Sequence, residues 1–140
     1  MRPWVALGVA VLSWAATEAA WGYQPAVNFQ LNCMGCHLAD GSGEAGRVPS
    51  LRRSLVLFSG TAEGRQYVIR VPGVAQSPLS DAQTAALLNW MARNLSDLAL
   101  PPAFADYTEA EVKELRSRPL AQVSVMRARL LKELKEAAPK

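Results

Sequence analysis

The chain has 140 residues and a formal charge of +3; it is 50% hydrophobic and 19% charged, with two cysteines and one histidine. That length fits one domain with a small appendage and excludes a large multidomain enzyme, while the composition excludes wholesale disorder. The basic residues are scattered or interleaved with acids, so nucleic acid is not an expected partner, and the modest positive charge suits an acidic protein partner.

Residues 1–22 read as a secretory signal peptide. Arg2 gives a short positive start, Pro3 to Ala16 form an uncharged apolar run, and small residues follow. Cleavage after Gly22 would leave Tyr23 as the new N-terminus, and cleavage after Ala19 would leave Ala20. The run is shorter than the roughly 20 apolar residues a comfortable membrane span needs. No other stretch is long and apolar enough to span a bilayer, so no membrane span is expected after cleavage. Three of the four tryptophans (Trp4, Trp14, Trp21) belong to this segment, which leaves Trp90 for the folded domain.

The next pattern predicts a helix over Ala26–Leu38, whose last turn carries Cys33-Met34-Gly35-Cys36-His37. C-x-x-C-H is the signature of covalent c-type haem attachment. On a short helical turn, two thiols three apart can face one edge of a porphyrin, and each can add to a vinyl group. His37 can then offer an imidazole nitrogen to the iron. Other roles for the cysteines are weaker. A disulfide between residues three apart closes too small a loop to gain much from loop-closure entropy. A structural zinc site wants four ligands. A thioredoxin-like pair would need an α/β scaffold, and the chain has little strand pattern.

Asp40 to Pro49 is rich in Gly and Ser and reads as a loop. Ser50–Phe58 and Thr61–Val71 are two short helices, punctuated by Gly60, with Pro72-Gly73 ending the second. Within the first, Leu55-Val56-Leu57-Phe58 has strand propensity but is expected to wall the haem pocket. Asp81–Asn94 is a well-marked helix: Ser80 and Gln83 make a capping box, and Leu87, Trp90 and Met91 share a face. Asp97–Phe104 is a linker blocked from helix by Pro101-Pro102. In the tail, Thr108 and Glu111 make a second capping box for a helix to about Ser117, and Pro119 is placed to start a last helix to about Ala138. Val123, Met126, Leu130 and Leu134 form an apolar stripe on that helix, with Arg127, Arg129, Lys132, Glu133 and Glu136 on its other face. The tail is expected to pack on its own domain rather than to serve as a docking surface.

The haem motif, the following Asp40-Gly41-Ser42-Gly43, Val48-Pro49-Ser50-Leu51, Val71-Pro72-Gly73 and Pro78-Leu79-Ser80-Asp81 together resemble a class I (monohaem) cytochrome c over roughly residues 24–95. The resemblance implies an all-α fold: a cytochrome c-like helical domain (residues 23–96) around one covalently attached haem c. Residues 97–140 would add a linker and a C-terminal helical hairpin. It implies Cys33 and Cys36 as tethers and His37 as the iron ligand. It also implies that the Pro49 carbonyl accepts the Nδ1 proton of His37, and that the Asp81 helix crosses the N-terminal one. In that family a methionine, usually from the loop before the last core helix, supplies the second axial ligand. Here the loop Val71–Pro78 contains none, which leaves Met91, Met126 or no methionine at all.

The function so implied is a periplasmic electron carrier rather than an enzyme, passing single electrons between redox partner proteins such as a periplasmic dehydrogenase or a terminal oxidase. Two alternatives stand beside it: a haem subunit fixed in a larger dehydrogenase complex, and a ligand-binding haem protein with an open distal site.

Overall fold

The computed structural model describes residues 23–137, so the expected signal peptide lies outside the described residues. Among these, seven helices follow in chain order: α1 (Pro25–Asn32), α2 (Leu51–Ser59), α3 (Ala62–Arg70), α4 (Pro72–Ala75), α5 (Asp81–Asn94), α6 (Glu109–Arg116) and α7 (Val123–Ala137). No strand occurs among the described residues; the sole β feature there is an isolated bridge between Glu44 and Val48. The all-α expectation is met.

Local chemistry sets most of the helix starts. Pro25 occupies the first turn of α1, where its missing N–H is harmless. The side chains of Ser50, Thr61 and Ser80 accept bonds from the free N–H groups of Arg52, Gly64 and Gln83. At α5 the box is reciprocal, because the Gln83 side chain accepts from the Ser80 N–H. Leu55–Phe58 is helical, its strand propensity overridden by a position inside a capped amphipathic helix. Pro72 ends α3 as expected, but it also opens the single turn of α4.

α1 crosses α5, with the rings of Phe29 and Trp90 5.8 Å apart. α2 and α3 form a tight corner at which Phe58 and Tyr67 meet edge to face at 5.0 Å. Gly64 is required there: a Cβ at this residue would lie 2.1 Å from the Phe58 carbonyl oxygen. Phe29, Phe58, Ile69, Leu88 and Val112 are fully buried and form the centre of one continuous core. Arg52 fastens the loop after α1 to the segment after α5, donating to Asp40 at 2.8 Å and to Asp97 at 2.9 and 2.5 Å.

The tail departs from expectation in two respects. Thr108 caps α6 through the Glu111 N–H, but the Glu111 carboxylate reaches away from the cap to take both forks of Arg65, at 2.9 and 2.7 Å. A half-buried, bidentate arginine outcompetes a return bond to the helix start. Pro119 does not open the last helix, which begins at Val123. The Leu120 N–H is spent on the Arg70 carbonyl at 2.9 Å and the Arg118 carbonyl accepts from Arg70 Nε at 2.7 Å, so this stretch is tied to the end of α3 outside any helix. The tail is helical, but its two helices find their main packing partners in the core: α6 lies on α5 and α3, and α7 lies on α3.

Candidate functional site

α1 ends at Asn32, and the cysteine motif forms the turn beyond it. The N–H groups of Cys36 and His37 both donate to the Cys33 carbonyl, at 3.1 and 2.9 Å. The structure therefore brings Cys33, Cys36 and His37 together on one bend. Both thiols are free; Cys33 is half-buried and Cys36 is exposed. Burial, and after it the neighbouring Cys36 thiol, push the Cys33 thiol above the ordinary cysteine range. Met34 projects into solvent, as its place inside the motif requires.

His37 points into a crevice whose central cavity has a volume of about 170 Å³. The walls are apolar: Leu55 and Phe58 of α2, Val68 of α3, Val71, Val74 of α4 and Leu88 of α5. Burial alone lowers the His37 pKa, which favours a neutral ring with a free lone pair. Its Nδ1 is buried and has no hydrogen-bond partner. Pro49 borders the same cavity, but the expected bond from Nδ1 to its carbonyl is not formed.

The crevice is continuous in both directions. Val74, Leu88 and Met91 are shared with a smaller recess that reaches Cys33. Pro49, Tyr67, Val123 and Arg127 are shared with a wide cleft between the 42–50 loop and the start of α7. Cys33 thus stands at one end, His37 in the middle, and the loop and α7 at the other end. A flat apolar macrocycle with a polar edge fits that order. Two unbridged thiols on one turn, a crevice-facing imidazole and the apolar walls are the features a covalent haem would use.

The chain is similar to known proteins over most of its length. Over 115 residues the chain is 31% identical to cytochrome c-552 of Thermus thermophilus, covering 69% of this chain and 88% of that protein. Cytochrome c-552 from a second source of the same species matches at 31% identity over 78% of its length. This chain belongs to the c-type cytochromes. No family model matches the cytochrome, and no solved structure does.

Two arginines of the cytochrome do what the sequence did not announce. The first is Arg116 at the end of α6. Its guanidinium donates to the carbonyls of Ala75 (3.1 Å), Ser77 (2.6 Å) and Leu79 (2.7 Å), and to Asp81 at 3.2 Å. Those carbonyls belong to the short loop between α4 and α5, where the resemblance leads one to look for a methionine ligand. The loop is instead pinned by its own backbone. The second is Arg127, expected on the outer face of α7. It lies at the crevice, with its guanidinium 5.2 Å from the Phe58 ring. The spacing carried a signal: Arg127 follows Val123 by four residues, so both occupy one helical face.

The methionine candidates separate as well. The Met126 sulfur accepts from Arg129 at 2.9 Å, and Met126 is not among the crevice-lining residues. Met91 is buried and does line the crevice. Trp90 is half-buried against Phe29, a packing position as expected.

Proposed function

We propose that this protein is an exported, periplasmic monohaem cytochrome that shuttles single electrons between redox proteins. Cys33 and Cys36 would hold one haem c through two thioethers, and His37 would ligate its iron. The observation that carries this reading is the single turn that sets two free thiols beside an imidazole lining an apolar cavity. Its support from outside the structure is the family itself.

Each thiol would add across a vinyl group, its sulfur bonded to one vinyl carbon and its hydrogen ending on the other. The bound haem supplies a one-electron iron couple. The rest of the work belongs to the chain. The apolar walls would keep water from the ring, and His37 would offer its Nε2 to the metal. The exposed residues around Cys36 leave the tethered edge near solvent, where an electron can pass to a partner without the partner entering the core.

A second reading, a haem with an open distal position, has one observation in its favour. The loop that would deliver a methionine has none and is locked by Arg116, and the Met126 sulfur is engaged by Arg129. Met91 alone remains as a thioether facing the crevice. Carbon monoxide added to the reduced protein separates the two: a rapid spectral shift marks the open site, and its absence marks a ligand already in place.

The central test is covalent attachment. Co-expressed with a haem-ligation system, the wild-type chain should retain haem through denaturation and acid-acetone extraction. Cys33→Ser and Cys36→Ser should each leave only one thioether, seen as a red-shifted pyridine haemochrome, and the double variant should release its haem. Haem retained covalently by the double variant would sink the proposal.

A further inference from the structure

We propose that Arg127 of α7 binds a carboxylate of the haem's propionate edge, so that the C-terminal helix is part of the cofactor site. The proposal rests on the haem c reading above. It starts from an imbalance of charge along α7. Arg129 pairs with Glu63 and Glu133, and Lys132 pairs with Glu136. Arg127 and Lys135 have no acidic partner among the described residues, and Lys135 is exposed to solvent. Arg127 is half-buried and lines both the cavity that holds His37 and the wide cleft beside the 42–50 loop. A guanidinium set into such a place without an anion is costly, and the face of Phe58 at 5.2 Å offsets only part of that cost.

The order of the crevice says what the anion is. A haem carries its vinyl groups on one edge and its two carboxylates on the opposite one. Tethered at Cys33 and Cys36, it must turn the carboxylates toward the far end of the crevice. That end is where Arg127 stands. The other cation lining the wide cleft is Arg47, and it is already engaged: both Glu44 oxygens accept from it, at 3.0 and 2.9 Å, on an exposed loop. Arg127 is therefore the side chain with an unmatched charge, and its planar fork suits a carboxylate. The geometry also explains why α7 buries little besides Leu130 yet lies where it does. One side of the helix rests on α3, and Val123 and Arg127 face the crevice.

The test uses the holoprotein and three variants: Arg127→Gln, Arg127→Lys and, as control, Arg47→Gln. Covalent haem is first confirmed in each by haemochrome and mass. Removing a positive charge beside the haem favours the oxidised form. At the wild-type midpoint, Arg127→Gln should therefore lower the ratio of reduced to oxidised protein about tenfold. The propionate bending band in the resonance Raman spectrum should move in the same variant. Arg127→Lys should restore most of the potential, and Arg47→Gln should change neither readout. A packing role over Phe58 would lower stability in Arg127→Gln and leave the potential and the band alone, and that result overturns the proposal. So does a response confined to Arg47→Gln. A wild-type chain with no covalent haem would overturn the haem reading itself, whereas haem in place with an unresponsive Arg127→Gln overturns only this assignment.

Discussion

Helix α6 has 8 residues and fully buries Val112; α7 has 15 residues and buries only Leu130. The shorter helix is the better fixed. Glu111 grips Arg65, whose guanidinium lies 4.1 Å over the Tyr107 ring. The Tyr107 hydroxyl meets Ser59 Oγ at 2.6 Å, and Asn89 bonds the Tyr107 backbone on both sides, at 2.9 and 2.8 Å. Arg116 then closes the far end of the helix onto the α4–α5 loop. α7 has no comparable polar fastening among the described residues. Its ion pairs are exposed, and pairs of that kind contribute little in water. The tail thus combines a helix that completes the core with one that lies along a crevice. Length and amphipathicity do not distinguish the two roles; the neighbours do.

The largest effect is expected where α6 meets the α4–α5 loop. Arg116→Ala strips three carbonyls and Asp81 of a mostly buried, charge-assisted donor, and should destabilise the holoprotein by about 3 kcal/mol in reversible denaturant unfolding. Arg116→Lys should recover only a small part, because one ammonium cannot span carbonyls that a fork reaches together. If Arg116→Ala were as stable as wild type, the difference between α6 and α7 would disappear.

The same contrast shows how far local sequence reaches. Ser80 and Thr108 are legible as caps because a cap is satisfied within three residues, and Ser50 and Thr61, read as the first residues of their helices, turn out to cap them. Legible too is the grouping of Cys33, Cys36 and His37, which lie within five residues of one another. The start of α7 is not legible, since it depends on Leu120 bonding to Arg70, far earlier in the chain. Glu111 reads as half of a capping box, but Arg65, from another helix, offers a better partner. Arg127 reads as solvated because the apolar stripe of its helix runs through Leu130. The crevice beside α3 widens the buried sector of α7, and no pattern within α7 records that. What escapes the sequence is in each case a contact between distant segments.

An intermediate effect is expected from Leu130→Ala. The side chain is 2% exposed but packs from a helix with one supporting face, so the cavity can partly collapse. The loss should be about 2 kcal/mol, at the low end for a buried leucine. Limited proteolysis at denaturant concentrations below the main transition should show α7 cut while α1–α6 stay intact. Simultaneous cleavage throughout the chain would mean that α7 is as integral as α6, and the contrast would fail.

The smallest effect comes from Tyr107, and it is best seen through pH. Burial first, moderated by the Ser59 bond and the Arg65 charge, pushes its pKa up to about 12. A phenol is charged when deprotonated, so a raised value means the fold prefers the neutral form. Below the unfolded pKa of about 10 the contribution of Tyr107 is fully present, and it falls as pH rises from there toward 12. Tyr107→Phe removes the hydroxyl and leaves Ser59 Oγ its bond to the Leu55 carbonyl at 2.7 Å. The variant should therefore lose only about 1 kcal/mol at neutral pH. Its stability should then decline less than that of wild type between about pH 10 and 12. Equal slopes in that window would mean that the hydroxyl titrates as freely in the fold as in the unfolded chain, and that α6 is less firmly closed over Ser59 than the 2.6 Å contact requires.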